Sequence, residues 1–179
     1  MLQFCRRVRR CGCGSFRNKA AGVMMKKSEL KSILWDTFSH LSETQLMALT
    51  IYGEARGESR EGKIAVGSVI LERVEHRDWD GKTLHEVCLM PYQFSCYLPG
   101  DPNFHALKLI AENWPVKFMR SQVLQECYQV ADGLIRGDIS RTPEIAAAHC
   151  CQYKTKKASA AWAKKMKVIL TIGQHEFYA

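Results

Sequence analysis

The chain has 179 residues, 46% of them hydrophobic and 25% charged, proportions that suit one globular domain with a single core. No apolar run approaches the ~20 residues that a membrane-spanning helix needs. The net charge of +8 is unevenly placed: residues 1–27 hold eight basic and no acidic side chains, which leaves residues 28–179 neutral, with eighteen of each sign.

Residues 1–27 therefore read as a basic arm ahead of a domain spanning 28–179. The arm (Arg6, Arg7, Arg9, Arg10, Arg17, Lys19, Lys26 and Lys27) has too little apolar area to fold alone, and its charge suits nucleic acid or an anionic surface. Arginines interrupt every apolar pair, so the apolar stretch of a secretory signal is absent. Synthesis in the cytoplasm without a clear signal peptide is expected, and Met24 or Met25 would serve as an internal start. The eight cysteines (Cys5, Cys11, Cys13, Cys88, Cys96, Cys127, Cys150 and Cys151) contain no pair spaced for zinc. They read as reduced, buried small hydrophobes, which favours a reducing compartment.

In chain order, Leu30, Ile33, Leu34 and Phe38 recur at helical spacing over residues 28–38. Ser42 and Gln45 form a capping box, with Leu41 and Leu46 as its hydrophobic staple. The helix that follows is apolar most of the way round, hence buried, and Gly57 is its expected stop. Ser59 caps a second apolar helix that runs to about Val74. Asp78, Trp79, Asp80 and Gly81 make a turn. Thr83 and Glu86 form another capping box, on a short helix that ends at Pro91. Residues 92–102 read as a loop with Tyr92, Phe94 and Tyr97. Asp101 and Pro102 start a helical segment around residues 104–112, broken at Trp114 and Pro115. Residues 121–135 form an amphipathic helix with Val123, Leu124, Cys127, Val130, Ala131 and Leu134 inward and Gly137 as its stop. Residues 146–153 and 168–172 read as short strands, with a helical turn at 158–165. The sum is a mainly α domain with a small β element.

Three constellations carry chemistry. Glu54 ends the apolar helix and precedes a glycine-rich turn. A carboxyl group between two packed helices is partly desolvated, which favours the protonated form that a general acid needs. Gly53 beside it admits another backbone or a ligand. Glu58, four residues on, reads either as a second carboxylate of a glycosidase pair, as a partner of Arg56 or Arg60, or as an anion at the next helix N-terminus. The second constellation is Tyr92, Gln93, Phe94 and Ser95, a loop whose amide, hydroxyl and aromatic rings suit a sugar, with Phe94 read as core. The third is His149 with Tyr153. His149, Cys150, Cys151 and His175 do not have zinc spacing, and neither metal nor cofactor is expected.

The string Tyr52-Gly53-Glu54-Ala55-Arg56-Gly57-Glu58 resembles the SleB-type cell-wall hydrolases, a family that includes spore-cortex lytic enzymes and phage endolysins. The resemblance continues through Gly62, Lys63, Ala65, Val66, Val69, Ile70, Leu71, Arg73 and Val74, then Thr83, Leu84, Glu86 and Val87, then Gln93, Phe94 and Ser95. It closes with Trp162, Ile172, Gly173, His175, Phe177 and Tyr178, and so covers roughly residues 44–178. It implies a lysozyme-like α+β fold and cleavage of the β-1,4 link between N-acetylmuramic acid and N-acetylglucosamine in peptidoglycan glycan strands. It makes Glu54 the general acid/base, with Glu58 and Arg56 supporting the turn. It puts Tyr92, Gln93 and Ser95 along the cleft, and His149 and Tyr153 are added as substrate contacts. In the related lytic transglycosylases the muramic 6-hydroxyl attacks its own anomeric carbon, so no second carboxylate is required. Two places depart from the family: Glu72 stands where asparagine is common, and residues 148–151 replace an aromatic or asparagine-rich segment.

The expected protein is thus a monomeric peptidoglycan lytic transglycosylase or muramidase of endolysin type. It would reach the wall after a phage opens the membrane, with residues 1–27 touching an anionic surface. The rivals are a nucleic-acid-binding protein acting through the arm and an inactive wall-binding relative.

Overall fold

The computed structural model describes residues 25–76 and 81–179. Residues 1–24 of the basic arm, with Cys5, Cys11 and Cys13, and the turn residues Asp78, Trp79 and Asp80 lie outside the described residues. Among the described residues eight α-helices and three strands follow in order: α1 Lys27–Phe38, α2 Glu43–Ala55, α3 Arg60–Glu75, α4 Leu84–Cys88, α5 Pro102–Glu112, α6 Trp114–Arg120, α7 Gln122–Arg136, α8 Pro143–Ala147, β1 Gln152–Thr155, β2 Val168–Ile172 and β3 His175–Tyr178. Single turns of 3-10 helix occur at Ser95–Tyr97 and Trp162–Lys165. Mainly helical with a small sheet, the chain has the expected fold class. No helix among the described residues is long and apolar enough to cross a membrane.

The core forms around α2. Leu46, Met47, Ala48, Leu49 and Ile51 are all completely buried, so this helix shows no water-facing side over those turns. α2 packs on α7 and α3, and α4 closes over α2 and α3. Burying each large apolar side chain contributes roughly 1.5–3 kcal/mol. The one polar side chain in the stretch, Thr50, is satisfied locally. Its hydroxyl donates to the Leu46 carbonyl at 2.9 Å and lies 2.9 Å from the Tyr97 hydroxyl.

Local signals set the helix ends. Ser42 accepts the Gln45 N–H while Gln45 accepts the Ser42 N–H, and Leu41 and Leu46 are both buried beside this box. Ser59, Thr83, Asp101 and Ser121 each accept a backbone N–H from the first turn they precede. Gly137 ends α7 with φ 80. Gly57 plays no such part: α2 ends on Arg56 as its cap, and Gly57 stays out of the left-handed region. At Thr83 the box is incomplete, because Glu86 turns its carboxylate to the Lys82 N–H instead. That helix stops at Cys88, short of Pro91.

Other expectations are corrected. Val123, in the first turn of α7, is 38% exposed, while Leu124 beside it is completely buried. Residues 146 and 147 belong to α8, which Pro143 starts, and β1 begins only at Gln152. β2 occupies residues 168–172 as the sequence predicts. β3 was hidden by its composition. It is the middle strand, in the order β1-β3-β2, antiparallel to both neighbours. The sheet packs through β2 on α3 and α8. Alternation along β1 and β3 sorts the side chains. Tyr153, His175 and Phe177 turn toward the helices, while Lys154, Glu176 and Tyr178 occupy the opposite face.

Cys88, Cys96, Cys127, Cys150 and Cys151 are buried, and none forms a disulfide among the described residues. Burial pushes the Cys88 and Cys127 thiols up to about 12, so both stay protonated and unreactive at neutral pH.

Candidate active site

Glu54 lies in the last turn of α2 and is half-buried. Two donors far apart in sequence hold its carboxylate. The Cys96 backbone N–H donates to Oε1 at 3.2 Å, and the Tyr153 hydroxyl donates to Oε2 at 3.2 Å. The first comes from the 3-10 turn after the loop, the second from β1. Gly53 makes this approach possible. A Cβ there would stand 2.7 Å from Cys96 Sγ and 3.0 Å from Leu107 Cδ1, so any other residue would push the Cys96 turn away from Glu54.

Tyr153 donates because it stays a phenol. Burial, then the Glu54 charge, holds its hydroxyl well above the ordinary tyrosine value. Its ring is fixed on two sides, edge-on to His175 at 5.5 Å and tilted against Phe177 at 5.8 Å. A third contact is the guanidinium of Arg73, which sits 5.7 Å from the Tyr153 ring centre and 5.0 Å from that of Phe94. Arg73 is buried on α3, and its Nε donates to the Cys151 carbonyl at 2.9 Å. Burial lowers its affinity for the proton, and Glu54 is among the groups that offset this. The guanidinium therefore tethers the loop at Phe94 to the strand at Tyr153, the two elements that grip Glu54.

Glu58 is not paired with Arg56 or Arg60 in this arrangement. Arg56 is exposed, with its guanidinium 5.4 Å from the Tyr52 ring centre. The Glu58 carboxylate instead reaches the turn between β2 and β3, where Oε2 accepts the Gln174 N–H at 3.2 Å. Oε1 stands 3.8 Å from Nδ1 of the buried His175. Gly173 at this turn has φ +53, and a Cβ on it would lie 1.7 Å from Glu58 Oε2. Only glycine fits under the carboxylate. Glu58 thus fastens the sheet to the end of α2, and Lys63 holds the Glu58 carbonyl at 3.0 Å from below.

His175 makes this junction sensitive to acid. Burial holds its imidazole below the ordinary value of 6.5, against the opposing pull of Glu58 and then Glu54. The folded chain therefore prefers neutral His175, while the unfolded chain takes up a proton as pH falls below about 6.5. The stability this residue contributes is complete above that point and declines below it. Urea unfolding is expected to show a greater loss of stability from about pH 7.5 to about pH 5.5 in the wild type than in His175→Asn. Equal losses would remove His175 from this account.

The cleft loop is divided between support and surface. Ser95 is exposed, immediately before the Cys96 N–H that holds Glu54, and Gln93 is half-buried in the preceding turn. Tyr92 has φ 68 and sends its hydroxyl to the Met25 carbonyl at 2.6 Å, so its polar end ties the start of α1. His149, with φ 47, contacts Glu72 through Nδ1 at 3.2 Å. Glu72 is buried and also accepts from Arg141 at 2.9 Å, and Arg141 extends to Glu75. The charge at position 72 is thus neutralised within its own cluster, and His149 belongs to that cluster. Among the described residues no group of three His, Cys, Asp or Glu side chains is placed to hold a metal ion.

The sequence reading names Arg73 and His175 within the family resemblance and Cys96 as a buried thiol, but gives none of them a part in holding Glu54 or Glu58. Arg73 had a usable signal: it lies three and four residues after Ile70 and Val69, on the buried side of α3.

Comparison with known proteins adds the following. Residues 57–178 match the sequence model of the family described as Cell Wall Hydrolase, a match that starts three residues after Glu54. Spore cortex-lytic enzymes of Oceanobacillus iheyensis and of Bacillus cereus are each 36% identical over 75 residues, 40% of this chain. The matched part is 27% of the first protein's length and 29% of the second's, so the chain spans under a third of either. The catalytic domain of a germination-specific lytic transglycosylase, SleB, from Bacillus anthracis superposes with a TM-score of 0.52 at 24% identity. That alignment covers 76% of this chain and 93% of the other, a likeness of fold.

Proposed function

This chain belongs to the cell wall hydrolase family, and from that premise we propose that it cleaves the β-1,4 link from N-acetylmuramic acid to N-acetylglucosamine in peptidoglycan, as a lytic transglycosylase with Glu54 as general acid and then base. The observation that carries the reading is the two-point grip on Glu54 by the Cys96 N–H and the Tyr153 hydroxyl. A carboxyl group fixed at a half-buried position can deliver its proton to one defined oxygen.

In the first step Glu54 gives its proton to the glycosidic oxygen, and the carbon–oxygen bond breaks with positive charge building at the muramic anomeric carbon. The carboxylate left behind stabilises that charge and then takes the proton of the muramic 6-hydroxyl, whose oxygen closes on the anomeric carbon. A retaining hydrolase would place a second carboxylate about 5–5.5 Å away as nucleophile. Glu58, the nearest carboxylate in sequence, is engaged by Gln174 and set beside His175, which supports a one-carboxylate route. Exposed Ser95 and half-buried Gln93 beside Cys96 are the proposed sugar contacts, with Tyr92 and His149 at the margins.

We assign the endolysin role to the same activity: folding with reduced cysteines, then release to the wall through an opened membrane. Free, buried cysteines support a reducing origin.

Mass spectrometry of muropeptides released from purified peptidoglycan tests the mechanism. Anhydromuramic ends, one water lighter than reducing ends, are the expected product. Reducing ends would replace intramolecular attack by hydrolysis, and absence of any glycan cleavage would overturn the assignment.

A further inference from the structure

The charges of the folded domain are segregated along the chain. Residues 28–151 hold twelve basic and seventeen acidic side chains, whereas residues 152–179 hold six lysines against the single acid Glu176. The domain is neutral as a whole and strongly polar in charge. The six lysines are Lys154, Lys156, Lys157, Lys164, Lys165 and Lys167.

Geometry gathers four of them. A shallow basin of about 430 Å³ opens on the side of the sheet away from Glu54. Lys154, Lys156, Lys157, Lys164 and Tyr178 line it, with small residues between them. Lys154 is the one lysine of the six with an ion pair among the described residues, to Glu176, and it lies 5.5 Å from the Tyr178 ring centre. Lys156, Lys157, Lys164 and Lys165 are exposed. Trp162 stands edge-on to Tyr178 at 5.2 Å. Three ammonium groups without an ion pair, those of Lys156, Lys157 and Lys164, line the basin and repel one another, and an anion that spans them relieves that repulsion.

We propose that this lysine-lined face binds a linear phosphodiester polymer of the cell wall. The cluster has no arginine, the side chain whose planar fork fixes one geometry on a carboxylate or a phosphate. Lysine binds phosphate as a mobile point charge, suited to a repeating polymer that shifts register. Family membership places the protein where such polymers are found, and the acidic helical body orients the lysine face toward them. The inference does not depend on Glu54 or on which bond is cut.

The test compares the full chain with the variant Lys156→Ala, Lys157→Ala, Lys164→Ala and Lys165→Ala, which keeps the basic arm. Binding to poly(glycerol phosphate) is measured over a series of salt concentrations. The variant is expected to bind at least tenfold more weakly at low salt. Its log Kd should depend on log salt with a slope smaller by roughly three, from the loss of four phosphate contacts. Cleavage of peptidoglycan stripped of such polymers should be unchanged, which shows that the fold survives. Unchanged affinity would give the binding to residues 1–27 and overturn the proposal. So would wild-type binding of poly-glutamate as tight as that of poly(glycerol phosphate), or tighter lysine-dependent binding of duplex DNA.

Discussion

Glu54→Gln is expected to lower the rate of peptidoglycan cleavage by about a thousandfold, within the range that a positioned general acid contributes. The amide has the shape of the carboxyl group but cannot release a proton to the glycosidic oxygen. Its local fit should survive. The amide oxygen can still accept the Cys96 N–H, and the Tyr153 hydroxyl can rotate to accept from the amide nitrogen. Both hydrogen bonds of the wild type thereby keep a counterpart, and the change in stability should stay below about 1 kcal/mol. The check pairs a turbidity or muropeptide assay with urea unfolding. Activity near the wild-type level in a folded Glu54→Gln protein would remove Glu54 from the chemistry.

Arg73→Leu should have the largest effect on stability, a loss of about 3 kcal/mol. Arg73 is 3% exposed and serves three partners at once: the Cys151 carbonyl, the Phe94 ring and the Tyr153 ring. Leucine leaves the carbonyl without this donor and is too short to fill the gap between the rings. Removing a buried charge returns part of the loss, because its desolvation cost disappears. Arg73→Lys keeps the charge but cannot stack as a plane, so it should fall between the two. Urea midpoints measure all three. A shift equivalent to less than about 1 kcal/mol for Arg73→Leu would mean that the tether is dispensable.

How far the sequence discloses this arrangement depends on the range of each interaction. The helix starts at Ser42, Ser59 and Asp101 were legible because a cap acts over three residues. The burial of α2 was legible because apolar residues cover all its sides. Glu54 itself stood out through a motif. Its two donors did not, since Cys96 is 42 positions away and Tyr153 is 99, and neither separation leaves a periodic trace. Glu58 was ambiguous for the same reason: three nearby explanations existed, and the partner turned out to be the distant turn at Gln174. β3 was missed because His175, Glu176, Phe177 and Tyr178 show no clean alternation of polar and apolar residues. Its middle position in the sheet makes both of its faces useful. Residues 146 and 147 were read as strand, while Pro143 just upstream was the better guide to a helix.

The order of strands has a consequence for the time at which the site comes into being. β3 is the last strand made and the one to which both others pair, so β1 and β2 have no sheet to join until residues 175–178 leave the ribosome. Tyr153 is synthesised some twenty residues earlier but waits for that event to be pinned against His175 and Phe177. The helical part of the chain, Glu54 included, can therefore condense while its second donor is still unplaced. On a nascent chain the grip on the Glu54 carboxylate closes only as synthesis of the sheet is finished.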